Sequence, residues 1–343
     1  MQDIKDLTLK ELEDRLKQFS SQKYHAKQIF SWIYKKSVFD FMALSDIPED
    51  LRVKLKGEFS IISSKLIKLQ KSSDGTQKLL LQFSDKSLIE CVVIPAEGRV
   101  TGCVSTQVGC KFGCRFCASG LSGFKRNLTC AEIIEEVLYL KEKAKPLKLT
   151  HLVFMGTGEP LDNYVEVVKA IRIINSPEAF NIGARRITIS TCGIIPAIQK
   201  LSEEKLQIEL SVSLHAAVDS LRLKLMPINK RYPLKDLINT CKEYSEKTNR
   251  QITFEYIMIK NLNSNLENAE YLVKLLGGWK LSKVNLIPSN FIKELKIAPP
   301  NKIEVLIFKD YLVKHGVNVT LRRERGQDID AACGQLRLAY AHK

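Results

Sequence analysis

Leu9, Leu12, Leu16 and Phe19 recur at steps of three and four, and Thr8 with Glu11 at their head has the spacing of a capping box. That period gathers apolar side chains on one face, so it predicts a first helix. Ala26, Ile29, Phe30 and Ile33 predict a second, and Leu51 and Leu55 after Pro48 a third. Residues 1–60 therefore read as a small helical domain, with its Phe, Tyr and Trp residues expected in the core. From Lys65 the period falls to two: KLIKLQ, the turn SSDG, TQKLLLQF, the turn SDK and SLIECVVIP. Such alternation, broken by turn residues, predicts an antiparallel meander, a β linker over 61–98.

Beyond the meander, the apolar runs HLVFMG, RITIST, QIELSVSLH, ITFEYIMI and KVNLIP are separated by stretches of helical period such as 164–174, 234–246 and 266–276. Strands alternating with helices make parallel βα units. With a strand near Cys103–Thr106 as the first, about six units follow, fewer than the eight of a closed TIM barrel. The expected fold is α/β: a partial (β/α)6 barrel over 99–343, behind the helical domain and the β linker. Polar or glycine-rich residues follow the apolar runs at Gly156–Pro160, Ser190–Thr191, Ser213–His215 and Pro288–Asn290. That edge of a parallel sheet is where ligands bind.

Charge and cysteine content narrow the chemistry. The 343 residues carry a formal net charge of +15, with 11 Lys/Arg against 10 Asp/Glu in residues 1–60, so the excess falls on the later region. A basic chain suits a polyanion, nucleic acid above all, because phosphate contacts give sequence-independent affinity. No run approaches the roughly 20 apolar residues of a membrane span. The start, MQDIKDLTLKELEDRLKQF, lacks an apolar signal core. A cytoplasmic protein with no membrane partner is expected. Nine cysteines, an odd number without a secretion signal, point to metal or redox chemistry rather than a disulfide scaffold.

Three of those cysteines, Cys110, Cys114 and Cys117, stand within eight positions in VGCKFGCRFCASG. Structural zinc usually takes paired CxxC elements, and no second pair follows here. A cubane iron–sulfur cluster with one iron lacking a protein ligand fits CxxxCxxC better, and zinc completed by a distant histidine stays open.

GCKFGCRFC resembles the signature of radical S-adenosylmethionine (SAM) enzymes, and GTGEP at 156–160 their glycine-rich SAM-binding segment. With CVSTQVGC before the loop, SVSLHA in the middle, MPINKRYP after it and DIDAACGQL near the end, the likeness spans nearly the whole chain. It is similar to the dual-specificity RNA adenine-C2 methyltransferases of bacterial 23S rRNA and tRNA. The resemblance implies a [4Fe–4S] cluster on Cys110, Cys114 and Cys117, with its open iron taking the amino and carboxylate groups of SAM. It implies two SAM per turnover: one methylates Cys333, and the second yields a 5′-deoxyadenosyl radical that takes hydrogen from the new methyl group. The resulting methylene radical attacks adenine C2, an electron-poor carbon that offers SAM's electrophilic methyl no nucleophile.

By motif position, Cys103 is implied to release the covalent RNA adduct through a disulfide with Cys333, and Glu90 to accept the C2 proton. Gly158 and Glu159 are implied to approach SAM, Glu159 accepting from its amino group. Ser190 follows at the next strand end, Ser213, Leu214 and His215 at the ribose and methionine portions, and Asn290 near the adenine. The implied substrates are 23S rRNA at the peptidyl transferase centre and tRNA at the adenosine 3′ of the anticodon. An electron donor such as a flavodoxin or ferredoxin is needed, and a monomer is the default.

Each residue also has a plain alternative. GTGEP alone can be a strand-to-helix turn, His215 a satisfied structural histidine, and Glu90 a solvent-facing residue on an alternating strand. Cys91, Cys130, Cys192 and Cys241 read as small hydrophobes. Thr157 stands where the family commonly has methionine, and Ser289 where a bulkier residue often precedes the asparagine. Two further functions fit parts of the pattern. One is the related adenine-C8 rRNA methyltransferase, against which Pro160 after GTGE speaks. The other is a non-catalytic RNA-binding protein with a structural metal loop, which needs neither Cys103 nor Cys333. No RNP-like aromatic motif appears, so shape and phosphate contacts are expected to hold RNA, with the target adenine unstacked. The helical domain is expected to help hold RNA in that state.

Overall fold

Thr8 and Glu11 exchange the two reciprocal hydrogen bonds of a capping box and so start α1 (Leu9–Lys17). This and the following geometry come from a computed structural model that describes residues 1–61, 64–120, 123–289, 298–322, 325, 326, 328 and 329. The helical segment continues through α2 (Tyr24–Phe30), a π-helical turn at Ser31–Lys35 and α3 (Glu49–Glu58). Parallel pairing of β1 (Gln2–Asp3) with β2 (Phe59–Ser60) ties its ends together. Phe30, Tyr34, Phe41 and Phe59 lie in the core as expected, whereas Tyr24 and Phe39 are exposed.

The meander forms from β3 (Lys65–Lys71), β4 (Gln77–Gln82), β5 (Leu88–Ala96) and β6 (Arg99–Cys103), all antiparallel neighbours. The hairpin β7 (Gln107–Gly109) and β8 (Phe124–Asn127) brackets the cysteine loop. α4 (Cys130–Ala144) then leads to β9 (His151–Phe154), and α5 (Tyr164–Asn175) to β10 (Ile187–Thr191). α6 (Ile195–Glu203) leads to β11 (Glu209–Ser213), and α7 (Asp219–Leu225) with α8 (Leu234–Thr248) to β12 (Ile252–Met258). α9 (Leu266–Leu276), β13 (Ser282–Pro288), α10 (Lys302–Lys314) and β14 (Val319–Leu321) complete the order.

One ten-stranded mixed sheet runs β14-β13-β12-β11-β10-β9-β6-β5-β4-β3, parallel from β6 to β14. Among the described residues the edge strands β3 and β14 do not pair, so the sheet is open. The meander extends this same sheet, since β5 pairs directly with β6. Two details differ from the sequence pattern. The first parallel strand is Arg99–Cys103 rather than Cys103–Thr106. Gly102 inside it permits close packing, because a Cβ there would meet Leu140 at 2.9 Å and Leu152 at 3.1 Å. β14, a further parallel strand, is only three residues long and too short to express a period.

Alternation along the strands sorts the two faces of the sheet. Ile187, Ile189, Leu210, Val212, Phe254, Tyr256, Val284 and Leu286 are buried in the core shared with the helices. The other face is polar in two cross-strand rows. Ser190, Ser211, Thr253 and Lys283 are successive partners, and so are Ser213, Glu255, Asn285 and Thr320. The helical segment is fixed to this core through α4. Lys5 lies 3.0 Å from Asp3 and 3.1 Å from Glu135, and Asp6 accepts from the Ala131 amide at the start of α4, 2.7 Å away.

Candidate active site

GTGEP follows β9 and is clamped onto the strand that leads into the cysteine loop. The Thr157 carbonyl accepts from the amides of Thr106 and Gln107, and the Thr157 amide donates to Ser105 Oγ at 2.9 Å. Gly158 has φ +109°, and a Cβ there would stand 2.6 Å from Gln107 Cβ, so only glycine fits without displacement. Gln107 is the hub: its Oε1 accepts from the Glu159 amide at 2.9 Å, and its Nε2 donates to Asn127 and Asp162 at 2.8 Å each.

Glu159 is buried, and its carboxylate bridges two strand ends. Oε1 accepts from the Leu161 amide at 3.0 Å and Oε2 from the Cys192 amide at 2.7 Å. Among the described residues it forms no ion pair, and burial raises its pKa against the opposing pull of the Cys192 amide. The Thr191 and Cys192 side chains also hydrogen-bond this carboxylate, and a cationic donor such as an ammonium group would suit its charge.

Cys110, Cys114 and Cys117 are half-buried free thiols on the loop between β7 and β8. The loop is closed by the Cys110 amide donating to the Gly123 carbonyl, 3.0 Å, and the Arg115 amide to the Leu225 carbonyl, 2.9 Å. Phe112, Cys114 and Phe116 pack on an apolar cluster of Cys192, Ala216, Leu225, Met226, Ile228 and Ile259. Burial pushes the Cys110 thiol up to about 11 and the Cys114 thiol further, and negative charge on Cys117 raises both again. Three thiolates can therefore coexist here only around a strongly cationic centre. Among the described residues no three His, Cys, Asp or Glu side chains stand in the geometry of a single metal ion. The three cysteine ligands of a cubane each bind a different iron, so the donor set and its spacing suit a cluster.

The next strand ends are organised by Arg222, which is fully buried on α7. Its guanidinium donates to the carbonyls of Cys192 (2.9 Å), Ser213 (3.1 Å) and Leu214 (3.2 Å) and to Asn229 Oδ1 (2.7 Å). Ser190 and Ser213 lie at the ends of β10 and β11 on the polar face, while the Leu214 side chain belongs to the core. His215 has φ +59° and accepts at Nδ1 from the Ile257 amide, 3.0 Å. Burial, helped by Arg222, lowers its pKa to about 3, so the ring is neutral with its proton on Nε2. The ring also meets Phe116 of the cysteine loop edge-on at 4.5 Å. His215 thus has Nδ1 and its backbone groups paired and also braces the loop.

Cys103 ends β6, buried, opposite Val92 of β5 and Val153 of β9. Glu90 does not face solvent: it is buried in an ion pair with Lys78 on the same strand group. Cys333 and Asn290 lie outside the described residues. The chain leading toward Cys333 is anchored at the β3–β4 turn. Asp328 accepts from the Ser73 amide at 2.9 Å and from Ser72 Oγ, and the Gly326 amide donates to Asp74 at 3.0 Å.

Comparison with known proteins decides the family. A model described as "Ribosomal RNA large subunit methyltransferase N-terminal domain" matches residues 2–61, and one described as "Radical SAM superfamily" matches 104–272. "Probable dual-specificity RNA methyltransferase RlmN" of Clostridium novyi (strain NT) is 46% identical over 341 residues, 99% of each chain. Its namesake in Thermoanaerobacter sp. (strain X514) is 46% identical over 342 residues, again 99% of each. The crystal structure of a radical SAM methyltransferase from Sphaerobacter thermophilus is similar at TM-score 0.93 and 41% identity, covering 98% of this chain and 99% of that one. The chain belongs to the RlmN family.

It is accordingly a radical SAM enzyme and a dual-specificity RNA methyltransferase. RlmN membership implies SAM, an iron–sulfur cluster and an RNA substrate. No described helix is long and apolar enough to cross a membrane. All eight described cysteines are free thiols. The sequence motifs located the strand-end loops of this RlmN chain but missed Arg222, whose helix DSLRLKL carries no signal beyond a cation among leucines. Arg222→Met is expected to destabilise the fold by roughly 3 kcal/mol or more, because several charge-assisted hydrogen bonds are lost and buried carbonyls are left unpaired. A denaturant midpoint checks this, and Arg222→Lys should not restore it, since an ammonium cannot span the same fork.

Proposed function

We propose that this RlmN-family enzyme methylates C2 of adenosine in 23S rRNA, at the peptidyl transferase centre, and in tRNA, 3′ of the anticodon. The observation that carries the reading is the full-length likeness to dual-specificity relatives. The position of Cys103 supports it, at the end of β6 on the sheet face it shares with Glu90. In this proposal residues 1–60 form an RNA-assisting helical domain, 61–98 a β linker, and 99–343 a partial (β/α)6 radical SAM core with Cys333 near its end.

Cys110, Cys114 and Cys117 hold the cluster. When bound, a [4Fe–4S] cluster supplies the electron that cleaves SAM to a carbon-centred radical, with two SAM consumed per turnover. Glu159 accepts from the SAM ammonium, Gly158 lets the backbone approach, and Ser190, Ser213, Leu214, His215 and Asn290 line the rest of the ligand. Because both His215 backbone partners and Nδ1 are already used, its Nε2–H is the group left to face SAM. Cys333 carries the methyl group, Glu90 takes the C2 proton, and Cys103 attacks the Cys333 sulfur to release the product. A flavodoxin or ferredoxin is the class of donor, the enzyme acts as a monomer, and a cytoplasmic location follows from its RNA targets. Mass spectrometry of RNA modified by the reconstituted enzyme is expected to give 2-methyladenosine. Finding 8-methyladenosine instead would move the chain to the C8 chemistry.

A further inference from the structure

The polar face of the meander holds an ion pair that no motif signals. Lys78 on β4 and Glu90 on β5 are 0% and 4% exposed, and Lys78 Nζ lies 2.9 Å from Glu90 Oε2. Register fixes what surrounds them. Leu80 is opposite Glu90, Lys78 is opposite Val92, and Val92 is opposite Cys103 on β6. Side chains two apart on a strand share a face. Lys78, Glu90, Val92 and Cys103 therefore line one face of three adjacent strands, with Glu90 a diagonal neighbour of Cys103, roughly 7–8 Å away in such a pairing. The backbone at Glu90 is tied to the glycine-rich loop as well. Its carbonyl accepts from Ser105 Oγ at 2.8 Å, and Ser105 Oγ in turn accepts from the Thr157 amide at 2.9 Å.

A buried ion pair contributes little net stability, because desolvating two charges offsets most of their attraction, and apolar residues of equal volume do as well. A base, however, must stay ionised, and burial alone drives a carboxyl to its neutral form. Glu136, on α4 behind the same strands, shows the alternative. It is fully buried with an amide donor from Ser105 but no described ion-pair partner, and burial raises its pKa well above the ordinary carboxyl range. Glu90 differs in having an ammonium at contact distance.

We propose that Lys78 is a positioning residue for release of the RNA adduct: its ammonium fixes the orientation of the Glu90 carboxylate on the strand face it shares with Cys103. The inference rests on the reading of Glu90 as the C2 proton acceptor. In that step the C2–H bond breaks, an O–H bond forms on Glu90, and the bonding pair stays with the purine. Lys78 remains an ammonium and forms no bond to RNA.

The test compares Lys78→Met, Lys78→Arg and Glu90→Gln in anaerobic single turnovers with a tRNA substrate. Three quantities are followed: methyl on Cys333 by mass spectrometry, covalent protein–RNA adduct by denaturing gel, and released methyladenosine. Lys78→Met is expected to methylate Cys333 and build adduct at close to the parent rate, yet release product at least about tenfold more slowly, the scale of losing a positioned base. Adduct should accumulate, as in Glu90→Gln, and Lys78→Arg should recover most of the release rate. Release by Lys78→Met at the parent rate overturns the inference, and so does an equal fall in all three quantities, which marks a merely structural lysine. Parent-like release by Glu90→Gln overturns the underlying assignment of Glu90, whatever Lys78→Met does.

Discussion

Cys103→Ala is expected to stop the reaction with protein still bonded to RNA, whereas Cys333→Ala is expected to transfer no methyl at all. The asymmetry follows from the proposed bonds. Once the methylene group joins Cys333 to the purine, a carbon–sulfur bond holds the product; a second sulfur attacks the first, an S–S bond forms, and the pair of the broken C–S bond stays on the product carbon, which takes a proton to become the methyl group. Cys103 ends β6 beside β9, one strand from Glu90, and is the described thiol on that polar face. Its loss removes the attacking nucleophile, and release should fall by roughly 10⁴-fold or more, the scale at which nucleophile deletions act. The double variant should make neither adduct nor product. A denaturing gel with labelled RNA separates these outcomes: a shifted band for Cys103→Ala alone agrees with the relay, and free RNA in every lane contradicts it.

Replacing any one of Cys110, Cys114 or Cys117 by alanine should abolish turnover, to below about 1% of the parent, because a cubane with two protein thiolates is neither firmly held nor correctly poised. The fold should survive, since among the described residues Cys110 and Cys117 belong to neither apolar cluster and Cys114 packs on the smaller one. Cys241→Ala supplies the control. That thiol is fully buried on the inner face of α8, where burial raises its pKa, and its removal should cost about 1 kcal/mol of packing while leaving the chemistry unchanged. Iron and sulfide content with circular dichroism on the same samples distinguishes a lost cluster from a lost fold.

Periodicity carried much of the architecture. α1 and its capping box, the meander strands β3, β4 and β5 and the alternating βα segments were legible because each has several residues in phase. β14 was not, because three residues cannot establish a period, and the start of the first parallel strand was hidden by Gly102, which resembles a break but serves close packing. The strand-end loops were legible as motifs, yet their internal wiring was not. Gln107, Arg222 and Asn263 each satisfy backbone groups from segments far apart in sequence, a property of the fold rather than of local composition. Lys78 illustrates the same limit: in TQKLLLQF it occupies a polar slot of an alternating strand, the usual mark of a solvent-facing residue, and only the neighbouring strands bury it. Glu159 had a legible position, but its tie to Cys192 across two strands is visible only in the structure.

The measurement that bears most directly on the account is an anaerobic spectrum, optical and electron paramagnetic, of the reconstituted protein before and after SAM is added. A site-differentiated [4Fe–4S] cluster that changes its signal when SAM arrives, and disappears in the Cys110, Cys114 and Cys117 variants, is the predicted result. Zinc in protein isolated without oxygen, with iron unable to restore methyl transfer, would contradict it.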